Sequence, residues 1–258
     1  MTKIFIDGQG TLAQSITRKL IENHHIAPDD LLINTYEKFD NIGYINWLDH
    51  YGITWFSSDY RNSGTHQTVA DFAPDYIMSA YGLRILPKSV LDLAKICSFN
   101  LHPAYLPDYK GRWIAPWVIL NGETEHGITF HLLNEHIDCG DILYQKRIPV
   151  ASDDTAYSLY HKLLSCFVQE FDNFFDLLVQ GKLNPVAQSG TGRYYSPAMP
   201  HNGIIDPSWD QDYVEKFIRA MYFPPHTGAR VEVNNCLLEC NTLKDYLDIK
   251  LSNNLTTI

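Results

Sequence analysis

KIFIDGQGTLAQSITRKLI, residues 3–21, decides the fold. Residues 3–7 are a short apolar strand, and Gly8-Gln9-Gly10 is a turn. Beyond it Leu12, Ile16 and Leu20 recur at helical spacing, so a helix follows. The alternation continues downstream. Residues 31–34 and 53–56 read as strands, with a helix over 44–51 between them. Pro74 introduces DYIMSA (75–80), a continuous apolar strand; a short helix over 89–95 and a strand over 97–100 come next. Strands apolar on both faces and separated by helices imply βαβ units and a parallel sheet covered on both sides. The expected fold class is α/β, a Rossmann-like, mostly parallel sheet flanked by helices. Ligands of such sheets bind beyond the carboxyl ends of the strands. Asn100 and His102 fall at one of those ends.

The pattern then changes. Residues 127–133 (GITFHLL) alternate as a half-buried strand should, 142–150 form a second strand, and 134–140 joins them as a loop. The longest helix covers 155–179, with Leu159, Leu163, Phe167, Phe171, Phe174 and Leu178 as a core stripe. After Gly181 the composition shifts toward Pro, Gly and Asn. The expected organisation is a catalytic domain over 1–181 and a small extension over 182–258, with a helix at 210–221 and a hairpin turning at Asn234-Asn235.

The 258 residues hold 20 Lys and Arg against 30 Asp and Glu, a net charge of −10. That balance disfavours salt-driven binding to nucleic acid. The opening residues lack the apolar stretch of a signal peptide, and the most apolar run, 113–120, is too short to span a bilayer. A cytoplasmic protein with neither a membrane nor a nucleic-acid partner is the expectation. Five cysteines (97, 139, 166, 236, 240), odd in number and without a CxxC pair, point to reduced thiols and away from zinc.

Two motifs compete for the function. Gly8-Gln9-Gly10-Thr11-Leu12-Ala13 fits G-x-G-x-x-G/A between a strand and a helix. Its glycines would let a pyrophosphate lie on the helix N-terminus, and Glu37 would serve as the ribose acid of an NAD or FAD protein. The second motif is spread over Asn100, His102, Leu106-Pro107, Gly111 and Asp138-Cys139-Gly140-Asp141. One Asn, one His and one Asp suit acyl transfer to an amine. A neutral imidazole takes the proton that the amine loses. The Asn amide donates to the oxygen that gains charge, and the carboxylate orients the ring and favours its charged form. An activated acyl donor makes an enzyme nucleophile unnecessary. The bland alternative is a capped turn, a surface histidine and a loop carboxylate.

Residues 100–145, NLHPAYLPDYKGRWIAPWVILNGETEHGITFHLLNEHIDCGDILYQ, resemble the signature region of the 10-formyltetrahydrofolate-dependent formyltransferases. The N-x-H strand end, the H-P-x-x-L-P-x-x-x-G loop, the G-[IV]-T-x-H strand and the D-x-G-D-I turn follow in order. PDYIMSAYGLRILPKSVL (74–91) matches the family's preceding strand and loop. The resemblance implies His102 as base, Asn100 as oxyanion donor and Asp138 as the partner that sets the histidine's protonation. It implies N10-formyltetrahydrofolate as co-substrate and no metal. The pterin pocket would be lined, largely by backbone, by Tyr81, Gly82, Leu83, Arg84, Ile85 and Leu86 and by Leu133, Asn134 and His136. The side chains of His131 and His136 are read as strand and loop residues, and Asp141 as structural. Lys110 stands where many members carry Arg, and the following Gly111, Arg112 and Trp113 face the acceptor in the family.

Residues 203–233 resemble the post-catalytic segment of sugar formyltransferases and of the methionyl-tRNA enzymes. The acidic balance and the short tail weigh against tRNA. A nucleotide-linked amino sugar, formylated for surface polysaccharide synthesis, is the expected acceptor. A pyrophosphate needs one or two cations plus backbone donors, which makes Gly10, Lys110, Gly111, Arg112, Trp113 and Arg219 the substrate-binding candidates, with Arg84 nearby. Arg219 suits a structural ion pair equally well. Trp117, Tyr222 and Phe223 could stack on a base, and the terminal hairpin offers an edge through which a homodimer could form.

Overall fold

The computed structural model describes residues 1–253 apart from 39–40, 83, 191 and 197. Five strands run parallel: β1 (Ile4–Gly8), β2 (Leu31–Asn34), β3 (Thr54–Phe56), β4 (Tyr76–Ala80) and β5 (Cys97–His102). A short β6 (Lys110–Gly111) lies outside that sheet, and β7 (Glu125–Leu132) and β8 (Ile142–Pro149) extend it antiparallel. The order is β3-β2-β1-β4-β5-β7-β8. Alternate residues feed two cores. Ile4, Ile6, Leu31, Ile33, Tyr76 and Met78 face the larger one, whereas Phe5, Leu32 and Ile77 face a smaller one on the other side. The period of two along each strand produces this division.

Helices α1 (Gly10–Glu22), α2 (Ile42–Tyr51), α3 (Ser63–Phe72), α4 (Lys88–Leu91) and α5 (Ile114–Leu120) fill the crossovers and loops. The long α6 (Ala156–Val179) buries the whole stripe read from its sequence. Phe174 stacks on Phe130 of β7 with centroids 4.0 Å apart, and Phe167 meets the same ring edge-on at 5.1 Å. The chain then pairs β9 (Tyr194–Tyr195) with β6 and forms a small sheet from β10 (Ile204–Ile205), β11 (Ala229–Val233) and β12 (Cys236–Cys240). Helices α7 (Gln211–Met221) and α8 (Leu243–Ser252) complete it. The hairpin turns at Asn234 and Asn235, both left-handed (φ 49° and 64°), as a two-residue Asn-rich turn requires.

Three sequence readings differ from the structure. Helix α4 stops at Leu91 instead of 95, because Lys95 and Ile96 give their N–H groups to Pro74 and Asp75 at the entrance to β4. Strand β5 continues through His102, which pairs in register with Thr129 of β7. Strand β7 is buried on both faces from His126 to His131, not half-buried, since α6 packs under it and the 134–141 loop folds back toward it. Helices α3, α5 and α8 had no clear periodic signal; α5 is only seven residues long and contains Pro116.

Candidate active site

Asn100 and His102 are two apart in β5 and so project from one face of the sheet. Their partners across the strand pair are His131 and Thr129. Both histidines are almost fully buried. Loop 134–141 leaves β7 and returns over this face because Gly140 presses on the strand it came from. A Cβ there would lie 1.8 Å from the Leu132 carbonyl oxygen, so no residue but glycine closes this turn. The tight return presents Asp138, itself left-handed at φ 53°.

Asp138 Oδ1 lies 3.5 Å from His102 Nδ1 and 3.7 Å from His131 Nε2, and Oδ2 accepts the Gly111 N–H at 2.8 Å. His102 Nε2 lies 2.9 Å from the Tyr109 carbonyl oxygen. A carbonyl only accepts, so Nε2 carries a hydrogen and Nδ1 of the neutral ring holds the lone pair. Burial pushes the His102 pKa below its ordinary value, against the raising influence of Asp138. Burial alone would raise the Asp138 carboxyl. The imidazoles of His102 and His131 beside it and the Gly111 N–H outweigh it and hold the group well below the usual carboxylate range. The resting site is a neutral imidazole beside an ionised carboxylate.

His131, read from the sequence as a strand residue, touches both Asn100 and Asp138. Its Nδ1–H donates to the Leu132 carbonyl at 2.8 Å, which leaves Nε2 to accept from Asn100 Nδ2 at 3.2 Å. One amide hydrogen of Asn100 is thereby fixed, and the other has no partner among the described residues. The register Asn100↔His131 becomes visible only once β5 and β7 are paired.

The residues read as the pterin pocket come from two loops that meet at Leu86 and Leu133, which pack into the smaller core. Gly82 sits so close to the buried Asp7 that a Cβ would lie 2.2 Å from its carboxylate. Tyr81, Ile85 and Ile137 are 46%, 67% and 43% exposed. Exposed apolar side chains on both loops fit a flat heterocycle that needs apolar walls. The Asn134 side chain accepts the His136 N–H in a local turn, Arg84 pairs with Asp59 at 3.6 Å and lies over the Tyr36 ring, and Leu83 lies outside the described residues.

The acceptor-side candidates are scattered. Lys110 is buried, and its ammonium donates to Cys139 Sγ at 3.4 Å, beside Asp138. Arg112 is exposed and Trp113 caps α5 in a left-handed conformation. Arg219 is bonded to Glu215 and to the Asp154 carbonyl, which ties α7 to the turn before α6. Gly10 is left-handed (φ 66°) and gives its N–H to Asn41 at the start of α1. The other glycine of that turn has a packing role. A Cβ on Gly8 would lie 2.4 Å from the Ala80 carbonyl oxygen, so close contact between β1 and β4 accounts for the residue without a dinucleotide. Phe223 contacts Tyr157 and Tyr160 at 5.6 and 5.3 Å, and Tyr160 contacts Tyr81 at 6.1 Å. Trp117 packs on Tyr195. Among the described residues no group of three or more His, Cys, Asp or Glu could hold a metal ion, and no helix is long and apolar enough to cross a membrane.

A GDP-perosamine N-formyltransferase of Brucella melitensis is 34% identical over 234 residues, 90% of each chain. In fold, a sugar N-formyltransferase from a Shewanella species superposes with a TM-score of 0.77 at 17% identity, covering 93% of this chain and 96% of the other. An N-formyltransferase from Helicobacter canadensis, solved with folinic acid and dTDP-3-aminofucose, gives 0.70 at 22% identity over 94% and 87%. The family model described as formyl transferase matches residues 3–169. With that match and the Asn100–His102–Asp138 constellation on one sheet face, the chain belongs to the formyl transferase family of one-carbon group transferases.

Proposed function

We propose that this enzyme moves a formyl group from 10-formyltetrahydrofolate to the amine of a nucleotide-linked amino sugar destined for surface polysaccharide. The observation that carries the chemistry is His102, with Nε2–H spent on a backbone carbonyl and Nδ1 facing an ionised carboxylate. His102 Nδ1 takes the proton that the amine loses as its nitrogen bonds to the formyl carbon, and Asp138 stabilises the imidazolium so formed. The other N–H of Asn100 donates to the formyl oxygen as that oxygen gains charge. The imidazolium then gives its proton to the departing nitrogen, and His102 ends the cycle neutral. When bound, 10-formyltetrahydrofolate supplies a formyl group already activated on nitrogen.

Residues 1–181 serve as the catalytic domain in this reading, and 182–258 contribute to the acceptor side. The amino-sugar acceptor is supported by the 34% identical relative, whose name gives GDP-perosamine as its substrate. It points to a GDP-linked sugar ahead of the dTDP- or UDP-linked ones. The aromatic group of Tyr160, Phe223 and Tyr157, which borders Tyr81 of the pterin side, supports a nucleoside on this end of the sheet. Tyr81 lies two residues beyond Ser79, the register partner of Asn100, so the rings begin next to the reacting centre. Calorimetric titration with GDP, dTDP and UDP tests the assignment. GDP should bind most tightly, and Phe223→Ala should weaken it about tenfold, the loss expected for one stacked ring. Failure of all three nucleotides to bind would sink the nucleotide-sugar reading.

A further inference from the structure

We infer that Gln188, in the segment between α6 and β9, is a positioning residue for the catalytic aspartate. The residue is half-buried in a run, 184–190, whose other members are all exposed. Its amide nitrogen donates to two carbonyl oxygens, Asp138 at 2.9 Å and Gly140 at 2.8 Å. Both acceptors are carbonyls, so the amide has one orientation only, with the nitrogen toward the loop. Its Oε1 is buried and without a partner among the described residues, a cost that a residue of no consequence would shed by turning outward. What the two bonds hold is the backbone on either side of Cys139, where Asp138 is a non-glycine residue at φ 53°. Such a conformation persists only where its surroundings impose it.

Neighbouring contacts make the same segment a brace for both catalytic loops. Val186 bridges to Ile142, next to the D-x-G-D turn. Lys110 donates its backbone N–H to Arg193, and Arg112 donates its own to Tyr195, on either side of the Gly111 N–H that binds Asp138 Oδ2. Asp138 is therefore held at its carbonyl by Gln188 and at its carboxylate by a loop that β9 supports. Without Gln188 the left-handed turn relaxes, and Oδ1 leaves its place between His102 and His131.

This inference rests on the role proposed for Asp138, and the experiment separates the two. Gln188→Met keeps the volume and removes both donors. The expected result is a kcat lowered by about 10- to 100-fold, with KM for both substrates within about threefold. The acid limb of the kcat profile should also move to lower pH, because the influence of Asp138 that raises the His102 pKa is weakened. In an Asp138→Asn background the same change should cost less than about threefold, since the residue it positions is already disabled. A Gln188→Met enzyme with near-normal turnover and an unmoved acid limb overturns the inference. So does an equal loss in the Asp138→Asn background. If Gln188→Met does not fold, Gln188→Asn, too short to span both carbonyls, is read in the same way. Near-normal turnover by Asp138→Asn alone would remove the role of Asp138, and this inference with it.

Discussion

His102 is neutral at rest because burial outweighs the carboxylate beside it, so its base form persists below the ordinary histidine range. The kcat/KM profile of the enzyme should accordingly hold as pH falls through 6.5 and decline only at lower pH. An acid limb centred above 6.5 would contradict a neutral resting base. His102→Asn and Asp138→Ala should each lower turnover by about 10³-fold or more, the scale of a lost base or a lost charge partner. Nucleotide affinity measured by calorimetry should stay nearly unchanged in both. Near-normal turnover in either variant would remove its assigned role. Asn100, His102 and Asp138 could be singled out because they fall in ordered motifs, N-x-H and D-x-G-D. His131 and Gln188 could not, for different reasons. His131 is legible only once β5 and β7 are paired, and the bonds of Gln188 depend on where an irregular segment crosses a loop 48 to 50 residues earlier in sequence.

At the scale of elements, α6 and β7 carry the site between them. Phe174 is fully buried, stacked on Phe130, and Phe130 sits one position from His131. Phe174→Ala should destabilise the protein by about 3–5 kcal/mol in urea unfolding, the usual cost of emptying an aromatic site in a core. A loss below about 1 kcal/mol would mean that the site collapses and that α6 is not the floor on which β7 rests. The parallel strands and α6 could be read from periodicity because their burial is regular. Helix α3 could not, since only Thr65 and Val69 of its described side chains are buried. The length of β5 also escaped. Hydrogen bonding to β7 extends it through His102, and no local feature of Cys97–His102 announces that partner.

For the whole molecule, two buried groups give stability opposite pH dependences. Burial lowers the His126 pKa to about 3, and His102 adds to the effect once low pH has protonated it. A neutral His126 therefore stabilises the fold fully above the unfolded value near 6.5, and this is lost as pH falls toward 3. Burial raises the Asp7 pKa to about 7 against bonds from Tyr60 and Asn34. Its contribution is present below the unfolded value near 3.8 and is lost as pH rises through 7. Asp7→Asn should thus gain up to a few kcal/mol in urea unfolding at pH 8 relative to pH 5. An equal effect at both pH values would show that Asp7 is not protonated in the fold. The α/β architecture and the family were readable in the sequence as a whole, whereas the acceptor was not, because its candidate contacts come from loops and from the segments after α6. The most direct measurement is mass spectrometry of a GDP-linked amino sugar incubated with the enzyme and 10-formyltetrahydrofolate. The expected result is a gain of one formyl group on the sugar amine, absent with His102→Asn. No gain on this or on dTDP- and UDP-linked amino sugars, with formylation of another amine in its place, would contradict the account.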